Sequence, residues 1–327
     1  MRAAVLGLGA TGARAARQLR STNEVTDLVL VDVDANRAER VASSLGSPAR
    51  TVDATDPLPA VDVAVLCVPT HHHVELTRRL LVAGADVVSV CDDLDEVREL
   101  IDLGPEAAER GRRLVAGAGF SPGLTCLLVR HAADLFDEVD EIHVAKVGTG
   151  GPECARQHHR ALASGALDWR DGGWSQGPGG SGRQLAWFPD PVGAHDCYRA
   201  AVPDALLLRR AFPGASRITA RVAATRRDRF SARLPMLRPP HPEGGVGGIR
   251  VEVWGRRGDA RDVVVYGAID RPAVAAGAVA AVAALALRRG QLAAPGAWSL
   301  AEVDEVLSLL SDLAERGVRA AAFEGAR

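Results

Sequence analysis

The sequence predicts an α/β protein whose amino-terminal part is a doubly wound parallel sheet, and three observations support this. The apolar run Ala3–Leu6 leads directly into the glycine loop Gly7–Gly12. Short apolar runs then alternate with helix-like segments over residues 1–119. The second apolar run ends at Asp32, about twenty residues after the loop. Together these features are typical of a Rossmann domain.

The glycine loop has the sequence Gly-Leu-Gly-Ala-Thr-Gly and stands between a strand and a helix. In such a loop the first glycine permits a tight turn, the second admits a pyrophosphate, and the third lets helix and strand pack closely. The helix amino terminus offers free N–H groups to the phosphates. An ordinary glycine-rich turn is the alternative. We expect dinucleotide contacts from the loop residues Gly7, Gly9, Ala10, Thr11 and Gly12.

Asp32 indicates which dinucleotide binds. A carboxylate here accepts hydrogen bonds from the adenosine ribose and repels a 2′-phosphate. The next residue is Val33 rather than an arginine, which favours NAD over NADP, although Arg37 is near enough in sequence to keep NADP possible. For Asp34 we expect a solvated strand end or a helix cap.

Composition restricts the class of protein. The chain has 327 residues, enough for two domains, and its net charge of −2 indicates no nucleic-acid or membrane partner. The five scattered cysteines have neither zinc-site spacing nor a disulfide framework. A strand at the start leaves no room for a signal peptide, and the apolar stretch 273–287 is shorter than the roughly 20 residues of a membrane span. We expect a soluble, cytoplasmic homo-oligomer.

The first 119 residues are predicted to form a dinucleotide-binding domain. The predicted strands cover residues 3–6, 27–31, 50–52, 61–68, 86–90 and 113–116. The predicted helices cover residues 11–19, 36–45, 72–82 and 94–110. Several of the strands are nearly continuous apolar runs, as expected for strands buried on both faces of a parallel sheet.

The pattern changes after Gly119, where a helix is predicted over 123–135. Longer segments with alternating polarity then predict an α+β domain over 120–270 with a mostly antiparallel sheet. The predicted strands cover residues 141–147, 184–188, 217–224, 249–255 and 262–268. Two stretches, 172–182 and 239–248, are interpreted as surface loops or as mobile lids. Residues 271–327 are predicted to form two helices, 272–289 and 301–316, that pack back between the domains.

Ligands of a doubly wound sheet lie beyond the carboxyl ends of its strands. The loops there are 7–12, 67–73 and 91–93. In the second loop we expect cofactor contacts from Cys67, Val68, Pro69 and His73. The run His71–His73 suggests a metal site, but consecutive helical side chains diverge by about 100° and converge poorly on one ion. We therefore predict no metal.

The hinge 119–123 joins the two predicted domains. Ser121 is predicted to cap the next helix, with Pro122 in the first helical position. That helix start would face the nicotinamide or a substrate carboxylate. We expect substrate contacts from Phe120, Ser121 and Pro122.

Lys146 is the only lysine in a chain whose other basic side chains are arginines. A partly buried lysine can lose its proton and an arginine cannot, so Lys146 is a candidate proton relay or carboxylate partner. A solvated strand-end cation is the alternative. His158 shares a helix face with Cys154 and is a second proton-handling candidate. A packing histidine, or half of a Cys/His nucleophile pair, is its alternative.

A second glycine-rich turn follows Lys146 and precedes a helix. Such a turn suits an anion, here a substrate carboxylate. Its predicted substrate-binding residues are Gly148, Thr149, Gly150 and Gly151.

With these residues in view, the chain resembles the saccharopine dehydrogenase family over its whole length. The resemblance rests on the glycine loop 7–12, the strand and turn 114–118, and the hinge 119–123. Residues 146–153 fall where this family places a substrate loop. The chain departs from the family at Ser121, which stands where an aspartate is usual, and at Thr125 and Cys126, where an aspartate and a histidine are common.

A second likeness is to the glucose–fructose oxidoreductase family. Residues 68–75 are similar to the corresponding loop of that family. The catalytic lysine that the family carries after its fifth strand is missing here, because Cys91 and Asp92 occupy that region.

The first resemblance implies an NAD(P)-dependent oxidoreductase that moves hydride to or from a carbon bearing nitrogen, in an amino acid or imine. It implies a carboxylate-bearing small-molecule substrate. One alternative is a dehydrogenase acting on the alcohol carbon of a sugar-like or hydroxy acid substrate. Another is a dinucleotide-binding regulator without turnover.

Overall fold

A computed structural model describes residues 1–236, 239–292 and 294–323. The first 119 residues alternate strands and helices, as predicted. The strands are β1 (Arg2–Leu6), β2 (Asp27–Val31), β3 (Ala49–Thr51), β4 (Val63–Leu66), β5 (Asp86–Ser89) and β6 (Arg113–Val115). The helices are α1 (Ala10–Arg20), α2 (Ala35–Leu45), α3 (His73–Val82), α4 (Leu94–Asp102) and α5 (Gly104–Glu109).

The rest of the described chain is richer in strands. These are β7 (Glu138–Val147), β8 (Gly165–Arg170), β9 (Gly173–Pro178), β10 (Gln184–Trp187), β11 (Ala194–Tyr198), β12 (Arg217–Ala223), β13 (Gly247–Arg257), β14 (Ala260–Asp270), β15 (Gly296–Trp298) and β16 (Ala320–Ala322). The helices are α6 (Leu124–Ala133), α7 (Pro152–Ala163), α8 (Asp204–Ala211), α9 (Arg226–Ser231), α10 (Pro272–Arg289) and α11 (Val306–Glu315). A 3₁₀ turn covers Leu300–Glu302.

The first sheet is parallel throughout and has the order β15-β6-β5-β4-β1-β2-β3. Its central strands are buried on both faces, which explains their continuous apolar sequences. The chain order reverses between β1 and β4, so a crevice opens at the carboxyl ends of these strands. The Rossmann prediction is confirmed.

The second sheet has the order β10-β11-β12-β7-β13-β14-β16, with β8 and β9 as a hairpin attached to β12. The predicted sheet is confirmed, and most of its strand pairs are antiparallel. Strands β7 and β12 run parallel, so the sheet is mixed. Along β7 the alternation puts Ile142, Val144 and Lys146 on one face, and all three are buried. The strand therefore carries the lysine towards the interior.

The last segment of the chain joins both sheets. Helix α10 packs mainly against α1, β15 lies beside β6, and β16 pairs with β14. Helix α10 is long and apolar enough to cross a membrane by length and composition, but 83% of it is buried inside the protein. The final helix starts later than predicted because residues 300–302 form a separate turn closed by the Ser299–Glu302 capping box.

Two further predicted elements differ from the structure. The stretch 172–182 contains β9, so it forms half of a hairpin with β8 and is not a lid. Asp168 on β8 pairs with Arg221 on β12 at 2.7 Å, which fixes the hairpin to the sheet. The predicted helix 94–110 is interrupted at Leu103. The interruption follows from Pro105, which lacks the N–H needed to continue the helix.

Helices α1 and α10 approach closely at Gly277. A Cβ at this position would lie 2.6 Å from the Cβ of Arg14 and 2.8 Å from the backbone nitrogen of Ala15. We expect Gly277→Ala to lower the free energy of unfolding by about 1–2 kcal/mol, since overpacking outweighs the better helix propensity of alanine. Chemical denaturation measures this. Gly214→Ala is the control, because nothing lies within 4 Å of the added methyl. Equal stabilities of the two variants would contradict the close approach.

Candidate active site

A cleft lies between the carboxyl edge of the first sheet and the start of the second domain. Its walls come from the glycine loop, the ends of β4 and β5, the hinge, and the starts of α7 and α10. The lining residues are Gly9, Ala10, Thr11, Cys67, Val68, Thr70, His73, Val90, Cys91, Asp92, Gly119, Phe120, Ser121, Gly150, Gly151, Pro152, Glu153, Cys154, Pro272 and Ala276.

The glycine loop has the shape that a pyrophosphate requires. A Cβ on Gly7 would lie 2.4 Å from the carbonyl oxygen of Cys67, and one on Gly12 would lie 1.7 Å from that of Gly7. At Gly9 a Cβ meets nothing within 4 Å, so this face is open. Helix α1 begins at Ala10 without a side-chain cap, which leaves its first amides for an anion. The loop residues therefore fit a dinucleotide, with Gly7 and Gly12 shaping it and Gly9 to Thr11 facing the cleft.

Asp32 is fixed at the end of β2. Its carboxylate accepts hydrogen bonds from the amides of Leu8 (2.7 Å) and Asp34 (2.9 Å). The Arg37 guanidinium lies 3.3 Å from Asp32 and 3.5 Å from Asp34. Asp34 also caps α2, as predicted. Because two carboxylates already balance Arg37, the arrangement favours NAD, and Arg37 remains the residue that keeps NADP possible.

The loop after β4 places His73 in a closed hydrogen-bond network. Its Nε2 lies 2.9 Å from the Val68 carbonyl oxygen and its Nδ1 lies 2.9 Å from the Ser89 hydroxyl. Glu96 accepts from the amides of His71 and His73. Burial lowers the pKa of His73, so the ring is neutral. Of the four residues predicted in this loop, Cys67, Val68 and His73 line the cleft and Pro69 does not.

The hinge differs from the predicted cap. Helix α6 begins at Leu124 with Gly123 before it, so Pro122 precedes the helix and Ser121 does not cap it. Gly123 has φ +122°, and this turn brings the carbonyl oxygen of Pro122 within 2.9 Å of the Gly119 amide. The Ser121 hydroxyl donates instead to Asp204, at 2.9 Å. Phe120 and Ser121 line the cleft, whereas Pro122 does not.

Lys146 lies directly behind the cleft wall. Its Nζ donates to the Ser121 carbonyl oxygen at 3.0 Å and lies 4.0 Å from Oδ2 of Asp92. The side chain is 4% exposed, so the alternative of a solvated cation is wrong. Asp92, which follows β5, lines the cleft between this ammonium and the open space.

Helix α7 brings two more groups to Asp92. The Cys154 thiol donates to Oδ2 of Asp92 at 3.4 Å, and Nε2 of His158 lies 3.9 Å from the same oxygen. Burial, with Lys146 adding to it, holds the pKa of His158 well below its usual value, so this ring is neutral. Burial raises the pKa of the Cys154 thiol to about 12, which argues against a Cys/His nucleophile pair.

Asp92 is the group best placed to exchange a proton with a ligand. Burial raises the pKa of its carboxyl above the usual value, and the Lys146 ammonium opposes that rise. From the sequence, residues 91–93 are predicted only as part of a cofactor loop, and this role of Asp92 is not apparent. The sequence feature that could have indicated this role is the acidic pair Asp92-Asp93, which directly follows an apolar strand. The structure separates the two, because Asp93 caps α4.

The donor atoms of Asp92, Cys154 and His158 lie within 4.8 Å of one another. Oxygen, sulfur and nitrogen donors at this spacing are the ligand types of zinc, a grouping that sequence spacing did not reveal. Here the Lys146 ammonium already stands beside the carboxylate and supplies its counter-charge. The prediction that no metal binds stays a prediction.

The second glycine-rich turn lies against the first. Gly150 and Gly151 line the cleft, and a Cβ on Gly151 would lie 3.1 Å from the Cβ of Ala10. Gly148 lies outside the cleft lining, with its Cβ position 2.7 Å from Gly247, and Thr149 lies outside it too. Half of the predicted turn therefore reaches the cleft, next to the dinucleotide loop.

Comparison with known proteins supports the cofactor assignment. Residues 1–117 match the model of the GFO/IDH/MocA oxidoreductase family, described as an NAD-binding Rossmann fold. The match covers the strands and helices that build the floor of the cleft and ends just before the hinge.

Solved structures similar to the whole chain show the same fold. Saccharopine dehydrogenase (L-Glu forming) from Saccharomyces cerevisiae has a TM-score of 0.71 at 15% identity, over 98% of this chain and 99% of that chain. An amine dehydrogenase from Mycobacterium smegmatis gives 0.53 at 12% identity, over 94% and 96%. DAP dehydrogenase from C. glutamicum, in complex with DAP, gives 0.51 at 16% identity, over 97% and 98%.

Gly9→Ala tests the phosphate cradle without disturbing the fold, because the added methyl meets no protein atom within 4 Å. We expect an unchanged melting temperature without cofactor and an NADH affinity weakened about tenfold or more, ~1.4 kcal/mol, since the methyl occupies space meant for the pyrophosphate. Calorimetric titration measures the affinity. Undiminished binding would place the phosphates elsewhere.

The open glycine loop, the bare start of α1 and the family match over residues 1–117 agree. This segment is the NAD-binding Rossmann domain of an NAD(P)-dependent oxidoreductase.

Proposed function

We propose that the protein transfers hydride to or from a carbon that bears nitrogen, in an amino acid or an imine. The observation that carries this proposal is the contact of the buried Lys146 with the partly exposed Asp92 at the wall of the dinucleotide cleft. It places one carboxylate that can gain or lose a proton beside the only lysine ammonium of the chain.

Oxidation of an amine needs both a proton acceptor and a stabilising charge. The ammonium form of the substrate loses one proton from nitrogen and one hydride from carbon, which leaves an iminium cation. Bound by the glycine loop and α1, the dinucleotide supplies the hydride chemistry. Asp92 takes the proton from nitrogen in this direction and returns it in the reverse direction. Once Asp92 has passed this proton to solvent, its ionised carboxylate is the counter-charge of the iminium cation.

Lys146 acts on the reaction through Asp92. The ammonium lowers the pKa of Asp92 and so favours its ionised form against the effect of burial. His158, whose Nε2 lies near Oδ2 of Asp92, stays neutral. Lys146 and His158, the two residues that the sequence suggested for proton transfer, therefore contact Asp92 and do not line the cleft themselves.

A substrate carboxylate would bind at the second turn. Helix α7 begins after Gly151 without a side-chain cap, and both Gly150 and Gly151 line the cleft. No arginine of the described chain lines this cleft, so backbone amides would carry the recognition.

The similar structures agree with a nitrogen-bearing substrate. By name, they include a saccharopine dehydrogenase, an amine dehydrogenase and a DAP dehydrogenase that holds DAP. Their identities of 12–16% extend only the fold to this chain, so the substrate class rests on the chemistry of Asp92 and Lys146.

A substrate panel tests the proposal. The purified protein is mixed with NAD or NADP and with amino acids, amines, hydroxy acids or sugars, and with keto acids plus ammonia in the reverse direction. Absorbance of the reduced cofactor reports turnover. We expect turnover with nitrogen-bearing substrates. Turnover with hydroxy acids or sugars alone identifies an alcohol dehydrogenase, and cofactor binding without any turnover identifies a regulator.

Lys146→Met removes the ammonium but keeps the length and apolar stem of the side chain. We expect cofactor affinity to stay the same and turnover to fall roughly 100-fold or more, because Asp92 is left buried without its counter-charge. Steady-state kinetics and NADH titration measure the two effects. Unchanged turnover would remove Lys146 from the mechanism.

Amine oxidation is expected to fail at low pH when Asp92 becomes protonated. Since burial raises the pKa of this carboxyl, the acid limb of kcat/KM lies above the pH of an ordinary aspartate. The limb is measured over a pH series with saturating cofactor. Asp92→Asn is expected to abolish it together with most of the activity. Retention of the limb in this variant would assign the proton transfer to another group.

A further inference from the structure

We propose that Asp204 is a positioning residue: through the hinge residue Ser121 it fixes the Lys146 ammonium beside Asp92. This inference rests on the proposed function, because it concerns the same proton-handling pair. Asp204 lies at the start of α8, far in sequence from both the hinge and β7.

Asp204 is linked to Asp92 by a chain of contacts through Ser121 and Lys146. Oδ1 of Asp204 accepts the hydroxyl hydrogen bonds of Ser121 (2.9 Å) and Thr125 (2.7 Å). Ser121 turns its carbonyl oxygen to Lys146, whose Nζ donates to it at 3.0 Å. Lys146 in turn lies 4.0 Å from Asp92. The fully buried Asp204 therefore fixes Ser121, and Ser121 in turn fixes the Lys146 ammonium.

Asp204 is fully buried, and its Oδ2 has no hydrogen-bond partner in the described chain. A buried carboxylate with one oxygen unsatisfied is costly and needs a reason other than stability. Lys146 thus contacts Asp92 at 4.0 Å on one side and, on the other, the hinge residue Ser121 that is hydrogen-bonded to Asp204. Asp204 acts on Asp92 by its field, which raises the pKa of Asp92 against the lowering by Lys146.

The hinge residues 119–123 include no acidic residue. The second domain places one at hydrogen-bond distance from the Ser121 hydroxyl. Asp204 therefore supplies an acid to the hinge from a different part of the chain.

Several groups besides Asp204 face the Asp92 carboxyl and enter its titration. They are Lys146 on β7, Cys154 and His158 on α7, and Cys91 and Asp93 on its own loop. Lys146 and the hydrogen bond from Cys154 lower the pKa of Asp92, whereas Asp93 and Asp204 raise it. A variant that displaces the ammonium but keeps the Asp204 charge should therefore move the pH limb in the same direction as loss of Lys146.

The test is the pH profile of Ser121→Ala, which removes the hydrogen bond to Asp204 and keeps the Asp204 charge. We expect the acid limb of kcat/KM to move to higher pH by about half a unit or more, as in Lys146→Met, because the ammonium is no longer held beside Asp92, and kcat to fall more than KM changes. A limb that stays in place in Ser121→Ala, with a folded protein, overturns the proposal.

A second readout does not depend on turnover. With isotope-labelled lysine the protein gives one lysine side-chain NMR signal, because Lys146 is the only lysine. We expect this signal to shift in Asp204→Asn and in Ser121→Ala. In Ser121→Thr, which keeps a hydroxyl at this position, we expect the signal to stay at its original position. An unchanged signal in Asp204→Asn contradicts the positioning role even if the enzyme acts on no nitrogen-bearing substrate. Failure of the proposed function alone leaves the NMR result intact.

Asp168→Asn is the matched control. Asp168 is also a buried acid of the second domain, but it pairs with Arg221 and Arg199 rather than with the hinge. We expect this variant to lose stability and to keep both the pH limb and the lysine signal. If Asp204→Asn fails to fold, Thr125→Val keeps the Asp204 charge and removes one of its hydrogen bonds. The lysine signal must then still move for the proposal to stand.

Discussion

The contact between the Lys146 ammonium and the Ser121 carbonyl oxygen is the interaction on which the rest of this structure depends. A buried charge is tolerated only where other groups replace the water it has lost. Here the replacements come from the hinge, from the end of β5 and, indirectly, from α8. The group is therefore complete only when the second domain closes over the edge of the first sheet.

Local sequence was sufficient for the amino-terminal domain. Glycines at 7, 9 and 12 and the apolar runs dictate strand, turn and helix through contacts a few residues apart, and the structure follows them closely. The exception, the break at Leu103, was also a local signal, since Pro105 follows it. Helix α10 was predicted with its correct ends because its residues are apolar on every side.

The second domain was less predictable because its strands depend on distant partners. Strand β9 contains three polar or aromatic residues among glycines and a proline, and only its pairing with β8 makes it a strand. The candidate site shows the same limit. Lys146 attracted attention because it is the only lysine, but Asp204 gave no signal, since its partners Ser121 and Thr125 lie about eighty residues earlier.

The return of the chain to both sheets has a consequence for how the protein is divided. Strand β15 covers the outer edge of β6, α10 covers α1, and β16 extends the opposite sheet beyond β14. A fragment cut at Gly119 would keep the whole phosphate loop yet expose an unpaired strand edge and the apolar side of its first helix. The nucleotide module and its cap consequently complete each other's buried surfaces, although each has its own sheet.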